Sequence, residues 1–375
     1  MIEFAGWWVI IQLFGLAALP ITLRACAWLP DRGYAFSKTV GLLLVSYLLW
    51  TGASTGLLVN DSGGILFALL LVGLISGFIL LKQDRVDART QWGAFWQHNR
   101  GQILTVEILF LLAFAGWTLV RAFSPDKILP AGGEKYMEIA FLNGVLNSPH
   151  FPPLDPWMAG FAISYYYFGY VMMGVMTALS GAAPGVGFDL YDALLFALTA
   201  VNAYGVAANL VRKSGGSQPA TTRAGLMGAL FVGGLGNLVG LFEGLRSSRA
   251  LPEGFFTWLN IPDLAAASQN GSFYPGRGWW WWRASRVLID LNLRGEPVAY
   301  QPIDEFPFFS FLLGDNHPHK LALPFVLLAI GLALNLFSRA AAPAAENKPV
   351  SQRIAGWRSW FSWLLARRSQ AALFL

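Results

Sequence analysis

Three short polar stretches carry residues whose types and spacing suit chemistry. The first is Gly132-Gly133-Glu134-Lys135-Tyr136-Met137-Glu138, with two carboxylates four residues apart. On a helix that spacing puts both on one face. Like charges so placed repel unless a cation or a shared proton sits between them, a setting for a general base or a metal ligand. The plainer alternative is a solvated helix start, its acids favoured by the dipole and Lys135 serving as local counterion. The second stretch, Ser148-Pro149-His150-Phe151-Pro152-Pro153-Leu154-Asp155-Pro156-Trp157, presents His150 and Asp155 on a backbone stiffened by proline. Without further chemistry it is a rigid connector. The third, Phe306–Lys320, has Asp315, His317 and His319 at alternate positions. In extended chain these share one side, as ligands for a divalent ion such as Mg or Mn, or for a phosphate. Lys320 follows as a point charge for the same phosphate. Otherwise the strip is a polar cap at a membrane boundary.

The elements that must position these residues are apolar. Of 375 residues 55% are apolar and 13% are charged, against about 25% charged in an average soluble domain. Eight apolar segments stand out: Trp7–Leu23, Thr39–Val59, Ile65–Leu81, Ile103–Val120, Phe161–Leu179, Leu190–Val211, Gly225–Phe242 and Leu321–Phe337. A ninth, Trp357–Leu375, is interrupted by Arg358, Arg367 and Arg368. Spanning a bilayer takes roughly 20 apolar helical residues, and continuous runs point to helices, since a membrane barrel alternates. The expected fold is all-α, a polytopic helical membrane protein of about seven to nine membrane segments. Residues 1–102 form its first membrane segments, and 103–338 a membrane domain with two long loops, 121–160 and 243–320. Residues 339–375 make a cytoplasmic linker and an incomplete last segment. Because the chain stops inside an apolar run, a longer protein is expected to continue it.

Charge placement sets an expected topology. The first connection carries Arg24, Arg32 and Lys38, the second none, and the third Lys82, Arg85, Arg89 and Arg100. Basic short loops stay cytoplasmic, so the N-terminus and the loop 121–160 are expected outside. A full crossing by Phe161–Leu179 would then send Arg212, Lys213 and Arg223 outside, against the rule. That segment, rich in interface-loving Tyr165, Tyr166, Tyr167 and Tyr170, is therefore expected to lie along the outer interface or to dip and return. Both long loops then face the extracytoplasmic side of the plasma membrane, carrying juxtamembrane helices. The net charge of +5 reflects these helix-end residues and gives no reason to expect nucleic acid. A single cysteine excludes an intrachain disulfide. Trp279–Trp282 are expected to anchor a loop helix among lipid headgroups, and Glu107 to reach for the interface from its segment end. Walker, CxxC and HExxH patterns are all missing.

At Gly133–Asn143, at Phe151–Gly169 (FPPLDPWMAGFAISYYYFG) and at Phe306–Phe325 (FPFFSFLLGDNHPHKLALPF) the chain resembles a family of uncharacterised multi-spanning membrane proteins of Chloroflexi and archaea, named for its YYY motif. The resemblance runs from about residue 100 onward. More distantly, Glu134, Glu138-Ile139-Ala140 and Pro152-Pro153-Leu154 are similar to pieces of GT-C membrane glycosyltransferases, which take sugars from polyprenyl-phosphate donors. Tyr136 is displaced from the usual tyrosine position of that motif, and three segments precede the loop-entering one where that superfamily usually has a single segment.

The resemblance implies a lipid-linked sugar transferase. Glu134 would be general base or metal ligand, supported by Glu138 and Asp155. Lys135, His150, Tyr165, Tyr166, Tyr167 and Lys320 would contact the substrate, and Asp315, His317 and His319 would bind its phosphate, directly or through a divalent metal ion. Membrane lipid and the polyprenyl-phosphate sugar are the expected partners. Two other classes use the same residues: a transporter with an ion site, which calls for charges deep in several spanning helices, and an assembly scaffold whose loops bind protein.

Overall fold

The computed structural model describes residues 2–82, 85–123, 133–274 and 280–340. Its helices are α1 (Ile2–Ala25), α2 (Ser37–Ser54), α3 (Ser62–Leu81), α4 (Arg85–Phe123), α5 (Lys135–Asn147), α6 (Phe168–Ser180), α7 (Pro184–Lys213), α8 (Gln218–Ala229), α9 (Val239–Ser247), α10 (Glu253–Leu259), α11 (Trp280–Ala284), α12 (Pro307–Leu313) and α13 (Pro318–Ala340). Among the described residues there are no strands, only isolated antiparallel bridges such as Leu154 with Ala162.

Among the described residues six helices are long and apolar enough to cross a membrane: α1, α2 with the turn before it, α3, α4, α7 and α13. A seventh crossing results if α8 and α9 count as one broken span; they join through a π-helical turn at Leu230–Gly234 and are bent by 75°. The protein is thus a polytopic helical membrane protein. The apolar segment Gly225–Phe242 carries this bend, which follows where the chain leaves the helix at Leu235-Gly236-Asn237. The segment Phe161–Leu179 is helical only as α6, whose 13 residues reach about 20 Å, short of the roughly 30 Å hydrocarbon core. The ninth segment and the linker before it lie outside the described residues.

α7 is the axis of the bundle, packing against α4, α6, α8 and α13. It is apolar on every side, the pattern of a helix with no outward face: Phe188, Leu194, Leu198, Val201 and Tyr204 are all buried. Lipid tails are as apolar as leucine, so close approach and polar contacts hold such helices together more than water exclusion does. Small residues give the approach. Gly41 of α2 lies on the backbone of Phe14, and Gly225 of α8 on the ring of Tyr204. Polar contacts add to it: Asn202 donates to Thr39 Oγ1 (2.9 Å) and to the Pro324 carbonyl (2.8 Å), tying α7 to α2 and α13. Glu107, expected to reach for the headgroups, is instead met inside the bundle by Lys38 (2.5 Å), Tyr34 (2.9 Å) and Gln12 (3.1 Å).

Candidate functional site

Gly133 turns the chain with φ +68°, and α5 begins two residues later. Asn60, between α2 and α3, donates to the carbonyls of Val145 and Ser148 and so fixes the far end of α5. At the other end of the sequence, Gly314 caps α12 in the left-handed conformation (φ +70°), and α13 starts at Pro318, where proline's missing N–H is no loss. Between them Gly314–His317 forms a strip that docks on the first turn of α5. Its side chains alternate sides as extended chain dictates.

Two contacts make the dock. The Asn316 N–H donates to Glu138 Oε2 at 2.6 Å, while the Asn316 side chain donates to the Phe188 carbonyl at 3.1 Å. His317 Nε2 lies 3.1 Å from Glu134 Oε2. Glu138 and Asn316 are fully buried, whereas Glu134 and His317 keep side-chain exposures of 53% and 32%. Polar stretches about 180 positions apart in the chain therefore meet at α5, with a buried half and an accessible half.

Burial, and then the neighbouring Asp315 carboxyl, push Glu138 up to about 8. Asp315 is raised too, chiefly by burial, and a Cβ on Gly133 would press on its Oδ2 at 2.5 Å. Lys135 is buried and held below the usual lysine range by desolvation and then by the Arg121 charge. Under the dock lies a layer of buried ion pairs. Lys320 Nζ meets Asp192 Oδ1 at 2.6 Å, with both side chains wholly buried. Trp117 Nε1 donates to the other Asp192 oxygen at 3.0 Å, and Arg121 reaches Asp189 at 3.3 Å. Asp189 and Asp192 share the α7 face turned toward α4, and α4 supplies Trp117 and Arg121.

The predicted ligand triad diverges. Asp315 turns to Gly133 and Glu138, His317 to Glu134, and His319 to Glu305 (3.0 Å) and Ser310 (3.1 Å). Among the described residues no three His, Cys, Asp or Glu side chains gather as metal ligands. The residues present at the triad do not fit a shared divalent ion. Asp155 also stands apart: its Oδ1 accepts the N–H groups of Trp157 (2.8 Å) and Met158 (3.0 Å), closing the turn after the proline run. His150 is exposed on that connector.

The tyrosines do come to the site. Tyr165 packs on Phe141 of α5, and burial, then Glu134 and Glu138, hold its hydroxyl above the usual tyrosine range. Tyr165, Tyr166 and Tyr167 line an apolar groove of about 600 Å³ with Leu43 and Trp50 of α2, Met172 of α6, and Pro318, Leu321, Phe325 and Leu332 of α13. Its wall begins at Pro318, the residue after His317. Trp50 Nε1 donates to the Tyr167 hydroxyl at 3.0 Å, fixing that wall.

Several participants escape a reading of the sequence. Asn316 acts through its backbone N–H, which no side-chain pattern reveals. Glu305 and Ser310 sit in a loop and a short helix with no periodic signal. Asp189 and Asp192 could have been found, since two acids three apart at the start of an apolar helix need buried partners. No curated protein and no solved structure matches the chain. Residues 44–366 match the family described as an uncharacterized membrane protein, DUF2298, and the chain belongs to that family.

Proposed function

We propose that the protein is a membrane glycosyltransferase of GT-C type, moving a sugar from a polyprenyl-phosphate donor to an acceptor hydroxyl at the extracytoplasmic face of the plasma membrane. The carrying observation is the Glu134–His317 pair at the head of an apolar groove. A lipid-linked sugar has a long apolar tail and a polar head, and the two halves of this site match it. Along α13 the groove runs from Pro318 to Leu332, about 21 Å at 1.5 Å per residue and more than half of the ~30 Å hydrocarbon core. A tail longer than one leaflet suits it.

In this reading Glu134 takes the proton of the acceptor hydroxyl as that oxygen attacks the anomeric carbon. The bond from that carbon to the phosphate oxygen breaks, and its electron pair leaves with the phosphate. His317 orients the Glu134 carboxylate. Glu138 supports the dock through Asn316, Lys135 lends positive charge beneath it, and Tyr165, Tyr166 and Tyr167 guide the lipid. Lys320, neutralised by Asp192, orders the start of α13. Asp155 closes the turn that carries the proline run, and exposed His150 is left for the acceptor. The test is transfer from radiolabelled polyprenyl-phosphate sugars in membranes. Glu134→Gln is expected to lose at least about 100-fold in transfer rate; full transfer by the variant ends the assignment.

A second reading, ion-coupled transport, draws on the wholly buried Lys320–Asp192 pair, since ionisable groups inside membrane helices mark ion pathways by default. Ion flux into reconstituted liposomes without sugar transfer would favour it.

A further inference from the structure

We propose that Glu305 and Ser310 position His319 to receive the phosphate released by the donor, making Glu305–His319 the leaving-group counterpart of Glu134–His317. This rests on the sugar-transfer reading above and adds a residue that the reading does not use. Glu305 Oε2 lies 3.0 Å from His319 Nε2, and Ser310 Oγ lies 3.1 Å from each of those atoms. The three come from three pieces of chain: the loop before α12, α12 itself and the first turn of α13. Ser310 is buried, while the His319 side chain is 46% exposed. The anchor is inside and the ring half out.

The protonation pattern follows from the partners. Glu305 Oε2 takes the hydrogen bonds of both Ser310 Oγ and His319 Nε2, so Glu305 is an acceptor. A carboxylate can only accept, hence the shared proton sits on His319 Nε2. In the neutral ring Nδ1 is then an acceptor, and it donates to a ligand only as the imidazolium. The His317 ring lies 5.2 Å away, centroid to centroid. Glu134, Asp315 and Glu305 are the acids near these rings, and Arg286 stands beyond Glu305 with its guanidinium 3.9 Å over Trp282. Two imidazoles thus sit side by side, each with its own glutamate.

Sugar transfer needs two such pairs. The proton of the acceptor hydroxyl passes to Glu134. The electron pair of the broken carbon–oxygen bond stays on the phosphate, which becomes more negative. An imidazolium Nδ1–H aimed at that oxygen meets the new charge, and charge-assisted hydrogen bonds of this kind are the strong ones. Glu305 acts through His319 and is a positioning residue.

The experiment is lipid competition on the full chain in nanodiscs, comparing a polyprenyl monophosphate with the matching polyprenol. The protein is expected to prefer the monophosphate by about tenfold or more. Glu305→Gln and His319→Phe should lose most of that preference with polyprenol affinity unchanged. Glu305→Asp should recover part of it, and Glu134→Gln should retain it. Retained preference in both Glu305→Gln and His319→Phe overturns the inference and leaves the sugar-transfer reading standing. Equal loss of both lipids marks a structural role and also overturns it. Failure of the unaltered protein to bind either lipid removes the sugar-transfer reading itself, and this inference with it.

Discussion

Glu138→Gln removes one ionisable group and keeps its shape. Glu138 is fully buried, and its Oε2 accepts the Asn316 N–H at 2.6 Å. A glutamine oxygen can accept the same bond. The carboxyl is pushed from 4.5 up to about 8, first by burial and then by Asp315. Between those values the folded protein holds a proton that the unfolded chain has released. Stability contributed by this site is therefore complete below about pH 4.5, falls as pH rises through the window, and is fully lost above about pH 8. At about 1.4 kcal/mol per pH unit the interval amounts to about 5 kcal/mol. Asp315, raised in the same direction by its own burial, adds to the trend. Glutamine cannot ionise, so the variant escapes its share of the loss.

The assay is thermal unfolding in nanodiscs across that pH range. At about pH 5 the two proteins should melt together, and at about pH 9 the variant should melt several degrees higher. Curves that stay parallel at every pH would refute the reasoning, because the carboxyl would then ionise without penalty in the fold.

Lys320→Met strands the buried Asp192 charge and is expected to cost about 3–5 kcal/mol, most of it recovered by adding Asp192→Asn, as a double-mutant cycle in denaturant would read. Gly133→Ala puts a Cβ against Asp315 at a left-handed backbone position, and should cost about 1–3 kcal/mol in melting stability along with transfer activity. Ala329 of α13 also lines the apolar groove, and Ala329→Trp fills it and should weaken polyprenol binding in the competition assay while leaving the melting temperature nearly unchanged. Glu107→Ala leaves Lys38 buried beside lost partners, so melting should fall by about 3 kcal/mol or more while lipid binding persists.

Helical class was legible because charge-free runs of spanning length have few other uses, and of the eight apolar segments six, or seven with the bent pair, are candidate spans among the described residues. The shortness of α6 was legible too, through the charge of loops on either side and the tyrosines at its start. The bend between α8 and α9 was not, since a π-helical turn followed by three non-helical residues leaves hydropathy unchanged. For the site, Glu134 and His317 were each candidates from residue type alone, and the 3.1 Å between them comes from the fold. Asp315, His317 and His319 take separate partners for a local reason. Alternation in an extended strip holds only to its end, and Pro318 starts α13 and turns His319 toward Glu305 and Ser310. Lys320 looked available for phosphate because Asp192, 128 positions earlier, gives no hint in sequence that it folds onto the same layer.

The buried layer limits what the site can hold. Arg121, Lys135 and Lys320 bring three positive charges to it, and Glu138, Asp189, Asp192 and Asp315 bring four acids. Charges left unbalanced in a low dielectric are expensive, so the layer closes only if Glu138 and Asp315 keep one proton between them. Both are raised chiefly by burial, and Asp315 raises Glu138 further, in keeping with that balance. With that proton the layer is neutral, and added negative charge has to be met outside it, by groups with solvent access. In the described site those are the His317 and His319 rings, each beside a glutamate. A phosphate-bearing ligand therefore belongs above the layer, between the imidazoles and the groove, while the buried lysines keep the scaffold that holds both rings.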